Sequence, residues 1–223
     1  MDLKSVSKVK SKAIIIGNGE QPPSDILKAA VNSGVFEIIC ADGGYHHAER
    51  LGIVPDIIIG DMDSLTADEV SVLEGKIAMK KYEGQNDTDV EKAISYCLEN
   101  GISDIALFAV TGKLIDHEIS NIMLLFRYAP HLRIRIFNSD SVLEAVTGKI
   151  SRTTGAGARV SFYAFGSELQ VKTRGLKYQL PDEKLIFGKE ESTSNLSVED
   201  TIFFDVSGGY MLLILPLDKN NPL

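Results

Sequence analysis

The chain has 223 residues, of which 44% are hydrophobic and 24% are charged, a balance that is typical of a folded globular protein. Its formal net charge of −8 argues against a protein that binds nucleic acid through phosphate contacts. The same negative field repels a phosphate-bearing substrate unless a cation lies between them. No apolar run approaches the roughly 20 residues that span a bilayer, and the start of the chain does not fit a signal peptide. The sequence therefore predicts a cytoplasmic protein with neither a nucleic-acid nor a membrane partner.

The two cysteines of the chain fall on apolar patterns. Cys40 ends an apolar strand-like run, and Cys97 lies on the apolar face of a predicted helix. Both are expected to be inert thiols of the core, which fits a reducing compartment.

The first half of the chain alternates apolar runs with helical patterns. The runs predict strands at 13–16, 37–40, 57–59, 77–79, 104–110 and 132–137. Helices are predicted from a Ser24 cap to about Asn32, up to about Leu51, after a capping box at Thr66–Glu69, after a second box at Thr88–Glu91, and over 117–128. Continuous apolar runs are typical of strands that are buried on both faces. The fold class is therefore α/β, with a parallel, Rossmann-like catalytic domain over residues 12–138 that follows a flexible lead-in of residues 1–11.

After about Asn138 the helical spacing disappears. Short alternating segments predict strands at 141–146, 158–164, 168–173, 176–180, 184–187, 195–198, 201–206 and 210–215. Glycine, aspartate and serine separate these segments. The pattern predicts a smaller all-β antiparallel sandwich domain over residues 139–223.

Polar residues collect where the predicted strands of the first half end. The clusters are Asp42 with two glycines, Asp61 to Ser64, Asn86 to Asp89, Thr111 to Lys113, and Asp116 with His117. In an open parallel sheet, ligands bind beyond the carboxyl ends of the strands. The clusters are thus expected to share one rim of the sheet.

Asp61 and Asp63 follow directly on the apolar run 57–60. Alternate residues of an extended segment point to the same side, so the two carboxylates repel each other unless a cation lies between them. Oxygen ligands of this kind suit Mg²⁺, which prefers a few carboxylates together with waters and substrate phosphates. The chain has neither a P-loop motif nor a G-x-G-x-x-G motif. The sequence thus points to a metal-bound polyphosphate that is held without the usual glycine-rich loop.

Several of these residues also have simpler interpretations. Asp42 with Gly43 could form only a turn, and Asp89 could be an acid that the helix dipole favours in a first turn. Thr88 fits a helix cap. Lys113 and His117 could be surface side chains.

Taken together, the motifs resemble those of the thiamine pyrophosphokinases. In the first half the resemblance lies in ADGG at 41–44, PDIIIGDMDS at 55–64, TD at 88–89, and DH at 116–117 with Asn121. In the second half it lies in GLKYQL at 175–180, FG at 187–188 and STSN at 192–195. It extends over about residues 13–215. It implies that the pyrophosphoryl group of ATP is transferred to thiamine, with a Mg²⁺ requirement, in a homodimer.

The resemblance also implies roles for individual residues. Asp61, Asp63 and Asp89 are expected to be catalytic and to bind the metal. The expected contacts to ATP and its phosphates are Asp42, Asn86, Asp87, Thr88, Lys113, Asp116 and His117. Tyr178, Ser194 and Asn195 are expected to bind thiamine at a site that a second subunit completes.

The chain departs from the family pattern at three places. Asn86 stands where the family has an acid, and the neighbouring Asp87 could take over that role. Lys113 stands where the family has an arginine. An arginine offers a planar fork of hydrogen-bond donors, whereas a lysine offers a point charge. Tyr178 stands where some members have a tryptophan, in a chain that has none.

Three alternatives remain open from the sequence. One is a related pyrophosphokinase that acts on a pterin alcohol, and another is a non-catalytic sensor of thiamine or nucleotides on the same fold. The third is an α/β protein whose acidic loops have no catalytic role.

Overall fold

The computed structural model describes residues 10–82, 87–166 and 168–218. The first half contains strands β1 (Lys12–Ile16), β2 (Phe36–Ala41), β3 (Ile57–Gly60), β4 (Ala78–Lys81), β5 (Asp104–Phe108) and β6 (Arg133–Phe137). Its helices are α1 (Ser24–Asn32), α2 (Tyr45–Leu51), α3 (Ala67–Leu73), α4 (Asp89–Glu99) and α5 (Ile115–Tyr128). All six predicted strands of this half are present, with bounds that shift by one or two residues.

The six strands form a parallel sheet in the order β6-β5-β1-β2-β3-β4. The chain first adds strands on one side of β1 and then returns to add β5 on the other side. The sheet therefore has a topological switch point between β1 and β5, where the loops after the two strands diverge and leave a crevice.

Both faces of this sheet are covered, as the continuous apolar runs predict. Side chains of α4 and α5, such as Ile94 and Leu124, pack on one face, and side chains of α1 and α2, such as Leu27 and Ala48, pack on the other. Cys40 and Cys97 are buried in these two cores. Burial raises the pKa of Cys40 to about 12 and also raises the pKa of Cys97, so both thiols stay protonated at neutral pH.

The predicted helix caps have different outcomes. The Thr66–Glu69 capping box is confirmed, because the Thr66 hydroxyl accepts from the Glu69 amide and the Glu69 carboxylate accepts from the Thr66 amide. At Thr88 only half of the box forms, since the Glu91 side chain instead contacts Arg127 and Tyr128. The prediction that Ser24 caps α1 is wrong: Pro23 occupies that position, and no side-chain cap forms.

The second half is entirely strand and loop in the described residues. Its strands are β7 (Ser141–Thr153), β8 (Arg159–Ala164), β9 (Glu168–Arg174), β10 (Glu183–Ile186), β11 (Glu191–Leu196) and β12 (Thr201–Pro216). They pair antiparallel, and β12 pairs with β7 along most of its length. On its other side β12 pairs with β9 through its first half and with β8 through its second half. A third core lies between the two halves of this folded-over sheet, where Phe162 meets Phe204 edge to face.

One strand prediction in this half is wrong, and two predicted strands are continuous. Residues 176–180 form no strand, and only an isolated bridge joins Leu176 to Ser197. The predicted strands 201–206 and 210–215 are both present, but they form one long strand whose register shifts between Val206 and Met211, where Gly208 has a φ of 92°.

The two halves share one sheet, since β6 pairs antiparallel with β7. Leu143 of β7 and Leu212 of β12 pack in the core beneath α4 and α5. The division at residue 138 stays a prediction. Most of the predicted lead-in lies outside the described residues, but Lys10 is bound by the Phe36 carbonyl and by Asp56. None of the helices in the described part of the chain has the length and apolar character needed to cross a bilayer.

Candidate active site

Three carboxylates that are distant in sequence meet at the carboxyl edge of the parallel sheet. Asp42 follows β2, Asp61 follows β3, and Asp89 opens α4. One oxygen from each of them lies within 4.8 Å of the oxygens of the other two. We call Asp42, Asp61 and Asp89 the carboxylate cluster. Their convergence follows from the topology, because β2 and β3 are neighbours and run in the same direction.

Unusual backbone geometry allows this close approach. Asp42 has a φ of 41° and Met62 a φ of 67°, conformations that non-glycine residues adopt only at a cost in free energy. Gly60 lies between the carboxylates: a Cβ atom there would come within 2.8 Å of the Asp42 Cβ and 3.3 Å of the Asp89 Oδ1. A side chain at position 60 would therefore push the cluster apart.

The burial of Asp42 is the strongest sign that a cation belongs at the cluster. This side chain is 4% exposed, and its Oδ1 has no hydrogen-bond partner. A buried carboxylate oxygen without a partner costs free energy, and two further carboxylates beside it increase that cost. A divalent cation removes both costs. The donor set consists only of carboxylate oxygens, which fits Mg²⁺.

Asp63 lies at the edge of the cluster. It is exposed, and its backbone amide donates to the Asp61 carboxylate over 3.1 Å. The negative charges of Asp61 and Asp42 raise the pKa of Asp63 above its usual range. The charges of the cluster thus act on Asp63, although its side chain is not one of the three that converge.

Lys92 is a component of the site that the sequence analysis missed. Its ammonium group donates to the Asp89 carboxylate over 2.9 Å, and the side chain is 7% exposed. Burial disfavours the charged form, but the hydrogen bond to Asp89 and the charges of Asp61 and Asp42 outweigh burial and raise the pKa of Lys92. The spacing of three residues from Asp89 on one helix was the available signal.

The residues expected to contact the phosphates of ATP lie on the same rim, but they differ in exposure and in hydrogen-bond partners. Thr88 caps α4, and Asp87 beside it is exposed. The Lys113 ammonium donates to the Asn18 side chain over 2.9 Å. The Asp116 carboxylate accepts from the amide of His117. Asn86 lies outside the described residues.

A small cavity lies at the switch point between β1 and β5. Its volume is about 160 Å³, and its walls include Gly19, Val90, Val110, Lys113 and His117. Val90 directly follows Asp89, so the cavity adjoins the carboxylate cluster. Asn121 also lines it.

The three residues expected at thiamine lie in the second half of the chain. Tyr178 is 64% exposed, and Ser194 is also exposed. Asn195 is only 2% exposed: its side chain donates to the Tyr178 carbonyl and the Ser192 hydroxyl, and accepts from the Tyr178 and Leu196 amides. These bonds occupy the hydrogen-bonding capacity of the amide group. Asn195 therefore holds the backbone that presents Tyr178, and it offers no free group to a ligand.

Comparison with known proteins covers both halves of the chain. Residues 31–137 match the catalytic domain of thiamin pyrophosphokinase, and residues 147–211 match its vitamin B1 binding domain. Thiamine pyrophosphokinase 2 of Arabidopsis thaliana is 29% identical over 220 residues, which cover 82% of each chain. The thiamine pyrophosphokinase of Bacillus subtilis is 27% identical over 173 residues, which cover 75% of this chain and 81% of the relative.

Solved structures show the same fold. The thiamine pyrophosphokinase of Bacillus subtilis superposes with a TM-score of 0.82 at 22% identity, covering 93% of this chain and 99% of that one. The enzyme of Geobacillus thermodenitrificans superposes with a TM-score of 0.81 at 25% identity, covering 95% and 100%. The two domain matches together span well over half of the chain, in the order of the family. The chain therefore belongs to the thiamin pyrophosphokinase family.

Proposed function

We propose that this chain transfers the pyrophosphoryl group of ATP to the hydroxyl group of thiamine and releases AMP and thiamine diphosphate. The observation that carries the proposal is the cluster of Asp42, Asp61 and Asp89, with its unpaired buried oxygen, in a chain of this family. An acidic protein needs such a cluster to recruit the cation through which it holds a polyphosphate. The relatives and solved structures named above carry the same activity in their names.

In the proposed reaction, the thiamine hydroxyl oxygen forms a bond to the β-phosphorus of ATP, and the bond from that phosphorus to the α–β bridging oxygen breaks. Asp42, Asp61 and Asp89 would hold Mg²⁺, with Asp63 beside them. When bound, the metal supplies positive charge that neutralises the phosphates as AMP leaves. Asp61 or Asp89 accepts the proton of the hydroxyl group. Lys92 holds the Asp89 carboxylate in position through its hydrogen bond.

The remaining residues position the two substrates. Lys113 and Asn86 contact phosphate oxygens, and Asp87 and Thr88 stand at the start of α4 beside them. Asp116 and His117 orient neighbouring groups at the mouth of the cavity. These roles rest on the family motif and on the rim of the sheet that the described residues share.

Thiamine is proposed to bind across a homodimer, with the carboxylate cluster of one subunit facing Tyr178 and Ser194 of the other. A stripe of exposed apolar side chains supports a partner on this rim. Leu114, Ile115, Ile119 and Met123 lie along α5, which begins beside the cavity. Contiguous apolar surface of this kind is typical of protein interfaces.

Two observations count against the alternatives. Residues 147–211 match a vitamin B1 binding domain, which disfavours a pterin alcohol as the acceptor. A sensor would have no need of three converging carboxylates. Product analysis with ATP, Mg²⁺ and thiamine tests the proposal: we expect equal amounts of AMP and thiamine diphosphate. Formation of ADP with thiamine monophosphate, or no turnover of thiamine, would contradict it.

A further inference from the structure

Asn121 carries a buried oxygen that the protein leaves without a partner. The side chain is 5% exposed, its Nδ2 donates to the Val110 carbonyl over 2.7 Å, and its Oδ1 makes no hydrogen bond. This orientation is well defined, because a flipped amide would place Oδ1 against the Val110 carbonyl oxygen. Native proteins leave few buried polar groups unpaired. The oxygen is closed to solvent in the free chain, so a donor from a ligand reaches it only when the neighbouring wall of the cavity moves.

Asn121 lines the 160 Å³ cavity at the switch point. A cavity of about 150 Å³ holds a benzene-sized ring, so this one has room for a single six-membered ring. Ligands of open α/β sheets bind in the crevice at a switch point. The exposed side chains of Leu114 and His117 form the outer wall, where they can yield as a ring enters.

The chemistry of Asn121 Oδ1 limits the kind of ligand group that can bind there. An amide oxygen accepts hydrogen bonds and repels phosphate oxygens, so the ligand group at Asn121 must be a donor. Both substrates of the proposed reaction contain an aminopyrimidine ring, in the adenine of ATP and in the pyrimidine of thiamine. An asparagine oxygen is well suited to accept from the exocyclic amino group of such a ring.

We propose that Asn121 is a specificity-determining residue whose Oδ1 accepts a hydrogen bond from the exocyclic amino group of a substrate aminopyrimidine ring in this cavity. The inference rests on the proposed function and deepens it. It predicts discrimination between amino and oxo substrates, because an oxo group presents a second acceptor to Oδ1.

The test pairs each natural substrate with an analogue in which an oxo group replaces the amino group. Inosine triphosphate replaces ATP in one arm, and oxythiamine replaces thiamine in the other. The ratio of kcat/KM values for the amino and oxo substrates is measured for the wild type, Asn121→Leu and Asn121→Ala. A ratio is insensitive to a general loss of activity, so it separates recognition from damage to the fold.

We expect the wild type to prefer the amino substrate about tenfold or more in one arm, and that arm identifies the ring. Asn121→Leu should reduce this preference to under about threefold, because it removes the acceptor. Asn121→Ala also removes the acceptor and should reduce the preference in the same way. This second variant decides the matter if Asn121→Leu does not fold.

No preference in either arm would overturn the assignment. A preference that persists unchanged in Asn121→Leu or in Asn121→Ala would overturn it too. Each of these results leaves the production of thiamine diphosphate by the wild type untouched, so failure here is distinguishable from failure of the proposed function.

Discussion

The ammonium group of Lys92 lies 2.9 Å from Oδ1 of Asp89, three residues earlier on the same helix. Lys92 is thus a built-in counterion of the carboxylate cluster in the metal-free chain. It offsets part of the repulsion among Asp42, Asp61 and Asp89. A Mg²⁺ ion bound at the cluster would compete with Lys92 for the Asp89 carboxylate.

Lys92→Met should destabilise the metal-free protein by about 1–3 kcal/mol, since it removes the cation that is hydrogen-bonded to the half-buried Asp89, beside the buried Asp42. Added Mg²⁺ should then raise the melting temperature more in the variant than in the wild type. Thermal unfolding with and without Mg²⁺ measures both effects. Lys149→Met is the matched control, because its ion pair with Asp205 is exposed and adds little. An equal Mg²⁺ effect in wild type and Lys92→Met would argue against the counterion role.

Asp61→Asn should remove most of the activity without unfolding the protein. The change deletes one proposed metal ligand but also relieves repulsion, so the melting temperature of the metal-free protein should stay level or rise. The increase in melting temperature caused by Mg²⁺ should disappear. Asp63→Asn should behave similarly but more weakly, because Asp63 lies at the edge of the cluster. Asp68→Asn, in the exposed first turn of α3, is the control. Near-normal turnover of Asp61→Asn at saturating Mg²⁺ would refute the metal assignment.

His47 should make stability depend on pH near neutrality. Its Nε2 bonds with the Gly19 carbonyl, and its Nδ1 lies 2.7 Å from the Arg50 guanidinium. Burial is the largest cause that lowers the pKa of His47 from its ordinary value of 6.5; the hydrogen bond with Gly19 opposes it, and the charges of Arg50 and Lys113 act in the same direction as burial. The unfolded chain therefore takes up the proton first.

It follows that His47 stabilises the protein fully above pH 6.5 and that this contribution falls as the pH drops toward the lowered pKa. Chemical denaturation at pH 7.5 and at pH 5.5, on the two sides of the ordinary pKa of about 6.5, measures the decline. His47→Gln should reduce the decline, whereas His131→Gln, at an exposed histidine, should not. An unchanged decline in His47→Gln would show that other groups set the pH dependence.

Tyr178→Ala should raise the KM for thiamine several-fold and leave the KM for ATP nearly unchanged. An aromatic face attracts a thiazolium cation by about 0.5–2 kcal/mol. Because Tyr178 is 64% exposed and its backbone is held by Asn195, the melting temperature should not change. Tyr178→Trp should keep or tighten thiamine binding. Equal effects on both KM values would remove Tyr178 from the thiamine site.

A mixture of Asp61→Asn and Asn195→Ala chains should regain activity if the site is shared between subunits. Asn195→Ala releases the loop of Tyr178, and Asp61→Asn disables the cluster. Each heterodimer then contains one site with both changes and one intact site. Random co-refolding should restore roughly one quarter of the wild-type activity. A mixture no more active than its parents would mean that each site is built from one chain.

The sequence predicted the parallel sheet and the rim on which its polar residues lie, since apolar runs and strand ends follow directly from local patterns. It could not predict the inclusion of Asp42 in the cluster, which depends on β2 and β3 being neighbours and on the left-handed backbone at position 42. Lys92 was missed because a lysine near a helix start usually faces solvent. Residues 176–180 were assigned to a strand on their alternating pattern, although the Asn195 side chain fixes this backbone in place of a ladder.

Transfer of the β-phosphorus of ATP, together with its terminal phosphate, is the step that the carboxylate cluster is proposed to control. ATP labelled with ³²P at the β-position follows that atom directly. With Mg²⁺ and thiamine, the wild type and Asp68→Asn should place the label in thiamine diphosphate and release unlabelled AMP, while Asp61→Asn should leave the label in ATP. Label recovered in ADP, or equal label transfer by wild type and Asp61→Asn, would contradict the account.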